Sequence, residues 1–402
     1  MNEVGKVEEN GKNNGVLQNS GKDPKNKKLV FAHAIWRHGK RNPIAMYQTC
    51  LSKEEDFVHG LGELVHEGMM EHYELGRKLR KRFIEETSLV SPIYISKEIH
   101  IRSTYVNRTI TSAQSHFLSF YSGSIPGKDY PLHESWPQTF FPVPVHASPD
   151  IADPVLLGSA HESSREYIKN VITKTPQFKQ FIERNRNMLE KIIKNSGHPE
   201  FSEAVNGNWI MVSKLFGIFD TIIHEHLLDL PRSPWVDEVY EEVGDFVDEY
   251  YAHIFGFTAD PEIRLQAGKI FGGPILWEII DRFRYALGID LDKIKLKGKI
   301  PKKYYVYSAH DTSIIQLFAG LGLGKIGFDT IKRPETADAV TIELWQGEDG
   351  STVVKLFYFR KGCEDPIDMS KEVSGDVDTE EGFSLEQFIR RSEPYKPDNY
   401  NK

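Results

Sequence analysis

Polar and apolar positions divide this chain into blocks. Residues 1–28 are rich in Asn, Gly, Lys and Glu and hold no apolar run. Such a segment buries too little apolar surface to offset the entropy of ordering, so the pattern predicts a disordered tail. From Lys28 to Trp36 the residues KLVFAHAIW are almost unbroken apolar. Their length and their β-branched and aromatic content predict a buried central strand. The polar segment RHGKRNP follows at once, and the polar end of a buried strand is where open α/β sheets hold ligands. Leu75, Leu79 and Phe83 recur every fourth residue, which predicts a helix over 67–83. Ile99 and Ile101 alternate in KEIHIRS and predict a second strand. Small and polar residues from Thr104 to Phe120 suit a helix packed closely on a sheet. Prolines at 126, 131, 137, 142, 144 and 149 mark residues 121–150 as a connection.

From about 160 to 255 the periodicity is helical. Phe178, Phe181, Ile182, Leu189, Ile192 and Ile193 share one face, and Trp209, Val212, Phe216, Phe219 and Ile223 share another. The α/β pattern then resumes. Leu276, Ile279, Ile280, Phe283 and Leu287 make a helix face, Tyr304–Ser308 reads as a strand, and Val340, Ile342 and Leu344 alternate ahead of a partner strand over 353–359. The order predicts an α/β fold: a mostly parallel central sheet with helices on both faces. Residues 29–150 and 262–375 would form it, with a helical cap inserted over 151–261 and a C-terminal extension over 376–402.

Composition narrows the function classes. The 402 residues are 39% hydrophobic and 27% charged, ordinary for a soluble globular protein with a large core. The net charge of −8 argues against a broad basic surface for nucleic acid. No apolar run is long enough to span a membrane. The two cysteines, Cys50 and Cys363, read as free thiols in a reducing compartment. With no apolar leader visible at the N-terminus, they predict a cytoplasmic address, a lysosomal or secreted one being the alternative.

Two apolar strands each run into a histidine. Arg37-His38-Gly39-Lys40-Arg41 alone reads as a solvated basic turn. Ser308-Ala309-His310-Asp311-Thr312 alone reads as a helix N-cap. Together they fit one task. A phosphate monoester carries about −1.5 to −2 charge near neutral pH, and arginine grips its oxygens by paired hydrogen bonds. A neutral imidazole attacks phosphorus and splits one hard step into two. A carboxylic acid supplies the proton the leaving alkoxide needs. Such chemistry rests on positioning and charge, and the chain holds no HExxH, no paired CxxC and no Walker-type glycine loop. No metal and no cofactor is expected. Arg102 and Arg108 are equally good candidates for a further phosphate contact on this reading.

RHGKRNP resembles the RHGxRxP signature of the histidine acid phosphatases, a branch of the phosphoglycerate-mutase-like superfamily, and SAHDTS resembles that family's HD motif. EGMMEHYELGRKLRKR, IRSTYVNRTITSA, FPVPVH and Gly272-Gly273 are similar to further family segments in the same order. The likeness spans residues 28–365 and runs towards the prostatic and lysosomal types. It implies that His38 becomes phosphohistidine, that Arg37, Arg41, Arg108 and His310 bind the phosphate, and that Asp311 protonates the leaving group. The implied partners are small phosphate monoesters, with phosphoproteins and a second copy of the chain as further candidates. An inositol-polyphosphate phosphatase and a phosphate-binding pseudoenzyme are the alternatives. Mutases use a glutamate in place of the HD motif, so His310-Asp311 argues against one. Relatives tend to carry a substrate-stacking aromatic near Leu215-Phe216, where packing on a helix is the favoured reading. With Arg108 in the pocket, the sequon Asn107-Arg108-Thr109 is expected to be buried and unmodified.

Overall fold

The structure is a computed structural model and describes residues 23–138, 140–149, 153–294, 296, 300–327, 330–374, 382–398 and 400. Residues 1–22 of the polar tail lie outside them. Chain order runs β1 (Lys27–Arg37), α1 (His66–Arg80), β2 (Ile99–Ser103), α2 (Asn107–Phe120) and β3 (His146–Ala147). A helical stretch follows: α3 (Glu162–Asn170), α4 (Pro176–Arg184), α5 (Arg186–Ser196), α6 (Trp209–Leu227), α7 (Pro234–Asp237), α8 (Tyr240–Ile254) and α9 (Pro261–Ala267). Then come α10 (Gly273–Leu287), β4 (Tyr304–Ala309), α11 (Asp311–Gly320), β5 (Ala339–Gly347), β6 (Thr352–Phe359), β7 (Ile367–Asp368), α12 (Ser370–Ser374) and α13 (Leu385–Ser392).

The strands form one sheet in the order β3-β2-β4-β1-β5-β6-β7. Its β3-β2-β4-β1 half is parallel, and β5 joins β1 antiparallel. Side-chain alternation along β1 sorts the core into two layers. Ala32, Ala34 and Trp36 face one side, with Tyr304 and Val306 of β4 and with Leu75, Leu79, Phe117 and Phe120 of α1 and α2. Phe31 and Ile35 face the other, with Tyr305, Tyr307 and α10. The helices of residues 162–267 share that second layer: Phe178, Leu189, Phe219 and Phe246 pack in one continuous apolar body with the sheet. The α/β fold with a mostly parallel centre agrees with the sequence pattern.

The turn after β1 is fixed from both helices beneath it. The Gly39 N–H donates to Ser112 of α2 at 3.1 Å, the Lys40 N–H to Glu71 of α1 at 2.8 Å, and His72 Nε2 meets the Arg37 carbonyl at 3.0 Å. Gly39 and Gly68 face each other. A Cβ on Gly39 would lie 2.2 Å from the Gly68 oxygen, and one on Gly68 would lie 2.0 Å from the Lys40 oxygen. Backbone stands on both sides, so neither clash relaxes cheaply. Gly68→Ala is expected to cost ~2–3 kcal/mol, read as a lowered midpoint in urea unfolding, with activity falling as the His38 turn shifts.

Several boundaries differ from the sequence pattern. The strand begins at Lys27, and Asp23 pairs with Arg82 at 2.8 Å. The first helix ends at Arg80 and continues to Glu86 as a wider π-type turn. The proline-rich connection holds the two-residue strand β3, which pairs with the end of β2. Within the C-terminal extension, Phe388 is fully buried and Tyr400 donates to Asp281 at 2.8 Å. Cys50 and Cys363 are both free. Asn107 of the sequon is exposed, contrary to expectation: it starts α2, and its amide donates to Glu63 at 2.8 Å.

Candidate active site

The two histidine motifs meet because β1 and β4 are adjacent and parallel. Arg37 pairs in register with Ala309, and the His38 N–H donates to the Ala309 carbonyl at 3.0 Å. Below them, Trp36 Nε1 donates to Ser308 Oγ at 2.8 Å, which donates to the Thr109 carbonyl of α2 at 2.6 Å. One seam therefore ties both strand ends to the helix that carries Arg108.

The rings of His38 and His310 lie 5.5 Å apart, edge to face. His38 Nδ1 sits 2.9 Å from the Gly39 carbonyl. A carbonyl only accepts, so Nδ1 carries the hydrogen and Nε2 of the neutral ring keeps the lone pair. Burial, and then Arg41, His310, Arg37 and Arg108, hold His38 well below the ordinary histidine range. Burial and Arg108 likewise hold His310 down to about 3, against an opposing pull from Asp311. Thr104 Oγ1, itself held by Thr109, lies 3.0 Å from His310 Nε2 and fixes that ring.

The arginines are distributed around these rings. Arg37 donates to the Pro334 carbonyl at 2.6 Å and reaches Asp311 at 3.3 Å. Arg41 is gripped by both oxygens of Asp220, at 2.6 and 3.0 Å. Arg108 lies beside Arg41: burial and the Arg41 charge hold it down to about 10, while Asp220, Asp311 and Glu63 pull the other way. The Nε atoms of Arg37, Arg41 and Arg108 are buried without a protein acceptor. Arg102, the alternative to Arg108, turns elsewhere, to Asp153 at 2.5 Å and Glu278 at 3.3 Å. Asp311 starts α11. Burial pushes its carboxyl up, but Arg37, Arg333 and His310 outweigh that and set it below the usual range.

Sequence reasoning missed three charged groups here. Asp220 stands in α6, where burial is outweighed by His224 and Arg41 and the carboxyl is held at about 2. Asp248 of α8 accepts from Arg333 at 3.0 Å, and Arg333 Nε reaches Asp311 at 4.0 Å. Tyr251, one turn beyond Asp248, is raised by burial and then by Asp311. Phe216 packs on Phe219, Tyr250 and Tyr251, with ring separations of 5.5, 4.6 and 5.6 Å, so it belongs to the helical packing. Among the described residues, no group of three or more His, Cys, Asp or Glu side chains could hold a metal ion, and no helix is long and apolar enough to cross a membrane.

With both motifs on adjacent strand ends, comparison with known proteins is decisive. The family model of the histidine phosphatase superfamily (branch 2) matches residues 28–359. The chain belongs to that family. The lysosomal acid phosphatase of Homo sapiens is 25% identical over 376 residues, covering 93% of this chain and 79% of that protein. A putative acid phosphatase of Caenorhabditis elegans is 27% identical over 371 residues, covering 87% and 81%. Among solved structures, a Hafnia alvei phytase superposes with a TM-score of 0.62 at 14% identity, covering 95% of this chain and 100% of that one. At that identity the likeness concerns the fold. The cytoplasmic address expected from the sequence is overturned by the lysosomal relative. Cysteine count and the composition of residues 1–28 report chain chemistry, and neither sets a compartment.

Proposed function

We propose that this member of the histidine phosphatase superfamily is an acid phosphatase that hydrolyses simple phosphate monoesters through a phosphohistidine at His38. The observation that carries the reading is the neutral His38 ring, its Nε2 lone pair free, set beside Arg37, Arg41 and Arg108 with Asp311 on the neighbouring strand end. Nε2 attacks phosphorus as the ester P–O bond breaks, and the Asp311 carboxyl passes its proton to the departing oxygen. The arginines and His310 hold the equatorial oxygens. The Asp311 carboxylate then takes a proton from water as that water attacks the phosphohistidine, which frees His38 and phosphate.

Charge supports a single dianion over a polyphosphate. Arg41 and Arg333 each already hold a carboxylate, Asp220 and Asp248. With Asp311 protonated, Arg37 and Arg108 carry the surplus, which matches one monoester dianion. Phosphorylated protein side chains offer the same chemistry and belong in the same substrate panel. The helices over 151–261 act as a cap, since Asp220 and Asp248 come from them. Light scattering reads whether two copies assemble.

The test is a phosphatase assay from pH 4 to 8 over aryl and alkyl phosphates. Because burial, and then the surrounding cations, keep His38 unprotonated, kcat at saturating substrate is expected to show no loss on acidification from pH 6.5 to 5, where an ordinary histidine with pKa about 6.5 would be lost as a nucleophile. A clean preparation with no turnover at any pH would overturn the reading and leave a phosphate-binding pseudoenzyme.

A further inference from the structure

Around Asp311 stands a second layer of charge that the phosphate-binding groups do not explain. Arg333 lies in the connection between α11 and β5, and its side chain is only 16% exposed. Asp248 Oδ1 accepts from its backbone N–H at 3.3 Å and from Nη1 at 3.0 Å. The same guanidinium presents Nε to Asp311 Oδ2 at 4.0 Å, the oxygen that Arg37 approaches at 3.3 Å. The next residue of this connection, Pro334, accepts from Arg37. One side chain thus spans a carboxylate of the helical layer and the carboxyl proposed as proton donor.

We infer that Arg333 is a positioning residue for Asp311, held in place by Asp248, and that this chain of charges sets how readily the donor gives up its proton. The inference rests on the reading of Asp311 as that donor. The groups facing Asp311 are Arg37 from β1, Arg108 from α2, Asp248 and Tyr251 from α8, Arg333 from the connection, and His310 and the Thr312 N–H beside it. Arg37 and Arg108 face the substrate phosphate, whose dianion offsets them. Arg333 is already matched by Asp248, so its effect on Asp311 depends on how fully Asp248 neutralises it.

The sign follows from that arrangement. Asp311 donates only while protonated, so it governs the alkaline limb of the kcat profile. A cation favours the ionised form and moves the limb to lower pH. Removing the cation moves it to higher pH, and an opposite charge at about 4–6 Å shifts a carboxyl by on the order of one unit or more. Arg333→Gln is therefore expected to raise the alkaline limb for an alkyl phosphate by on the order of one pH unit. Asp248→Asn keeps an oxygen that accepts both Arg333 hydrogen bonds but loses the charge. It unmasks Arg333 and is expected to lower the limb. Arg333→Lys retains charge without the fork and should return the limb towards wild type. KM on the plateau should change less than the limb does.

The experiment is the pH dependence of kcat for wild type, the three variants and Asp311→Ala, with an alkyl phosphate as probe. Opposite displacement of the limb in Arg333→Gln and Asp248→Asn supports the inference. Superimposed limbs, or displacement in one direction, would overturn it. If Arg333→Gln fails to fold, the near-isosteric Asp248→Asn decides alone by the direction of its shift. Should Asp311→Ala turn over the alkyl ester at the wild-type rate, the donor reading itself fails. Loss in Asp311→Ala with unmoved limbs in the other variants defeats only the role of Arg333.

Discussion

His38→Ala is expected to lower kcat/KM for an aryl phosphate on the order of 10⁵-fold, the scale on which losing a covalent nucleophile acts. The arginines remain, so inorganic phosphate should still inhibit the variant competitively with an affinity within about tenfold of wild type. That split separates a nucleophile from a binding group. Removing a charge-assisted contact such as Arg108 costs about 1.5–3 kcal/mol, or roughly 10- to 150-fold, and should appear in phosphate affinity as well. Steady-state kinetics with phosphate as inhibitor measures both. A His38→Ala enzyme within tenfold of wild type would remove the covalent route.

The second large effect depends on the leaving group. Asp311→Asn keeps the shape and the contact with Arg37 but has no proton to give. General acid catalysis contributes about 10²–10⁴-fold, so alkyl phosphates, whose alkoxides leave poorly, should lose about 10³-fold. A nitrophenyl phosphate, whose phenolate leaves unaided, should lose roughly tenfold. Plotting log kcat/KM against leaving-group pKa checks this, and the variant should give the steeper line. Equal losses on both substrate types would assign Asp311 to binding alone. The free enzyme holds this carboxyl low through Arg37 and Arg333 despite burial. A bound dianion reverses that balance. One unit charge at about 4 Å and an effective dielectric of about 20 is worth about 4 kcal/mol, or about 3 pH units.

The strands and their polar ends were legible because both signals are local. The run from Lys28 to Trp36 and the run from Tyr304 to Ser308 are apolar and end in a histidine motif. Their adjacency in the sheet is a tertiary fact, carried at the sequence level by resemblance alone. Periodicity does not distinguish Arg102, six residues before Arg108, from Arg108 itself. One lies in β2 and turns to Asp153 and Glu278, while the other lies in the first turn of α2 beside Arg41.

The second layer of charge was not legible. Asp248 sits among Asp245 and Glu249 on a helix rich in acids, where a solvated face is the ordinary reading. Arg333 lies in a connection without periodicity. Asp220 did leave a signal: it is a carboxylate within the largely apolar stretch LFGIFDTII of α6, and a buried carboxylate requires a cation. That cation, Arg41, is 179 residues away.

The central claim is a covalent phosphoryl group on His38. Mixing enzyme with a labelled aryl phosphate, quenching within milliseconds in denaturant at alkaline pH and mapping the peptides tests it directly, since a phosphoramidate survives base and is lost in acid. Up to one labelled group per chain is expected, on the peptide holding Arg37-His38-Gly39, and none in His38→Ala. Full turnover with no label, or label on another residue, would contradict it.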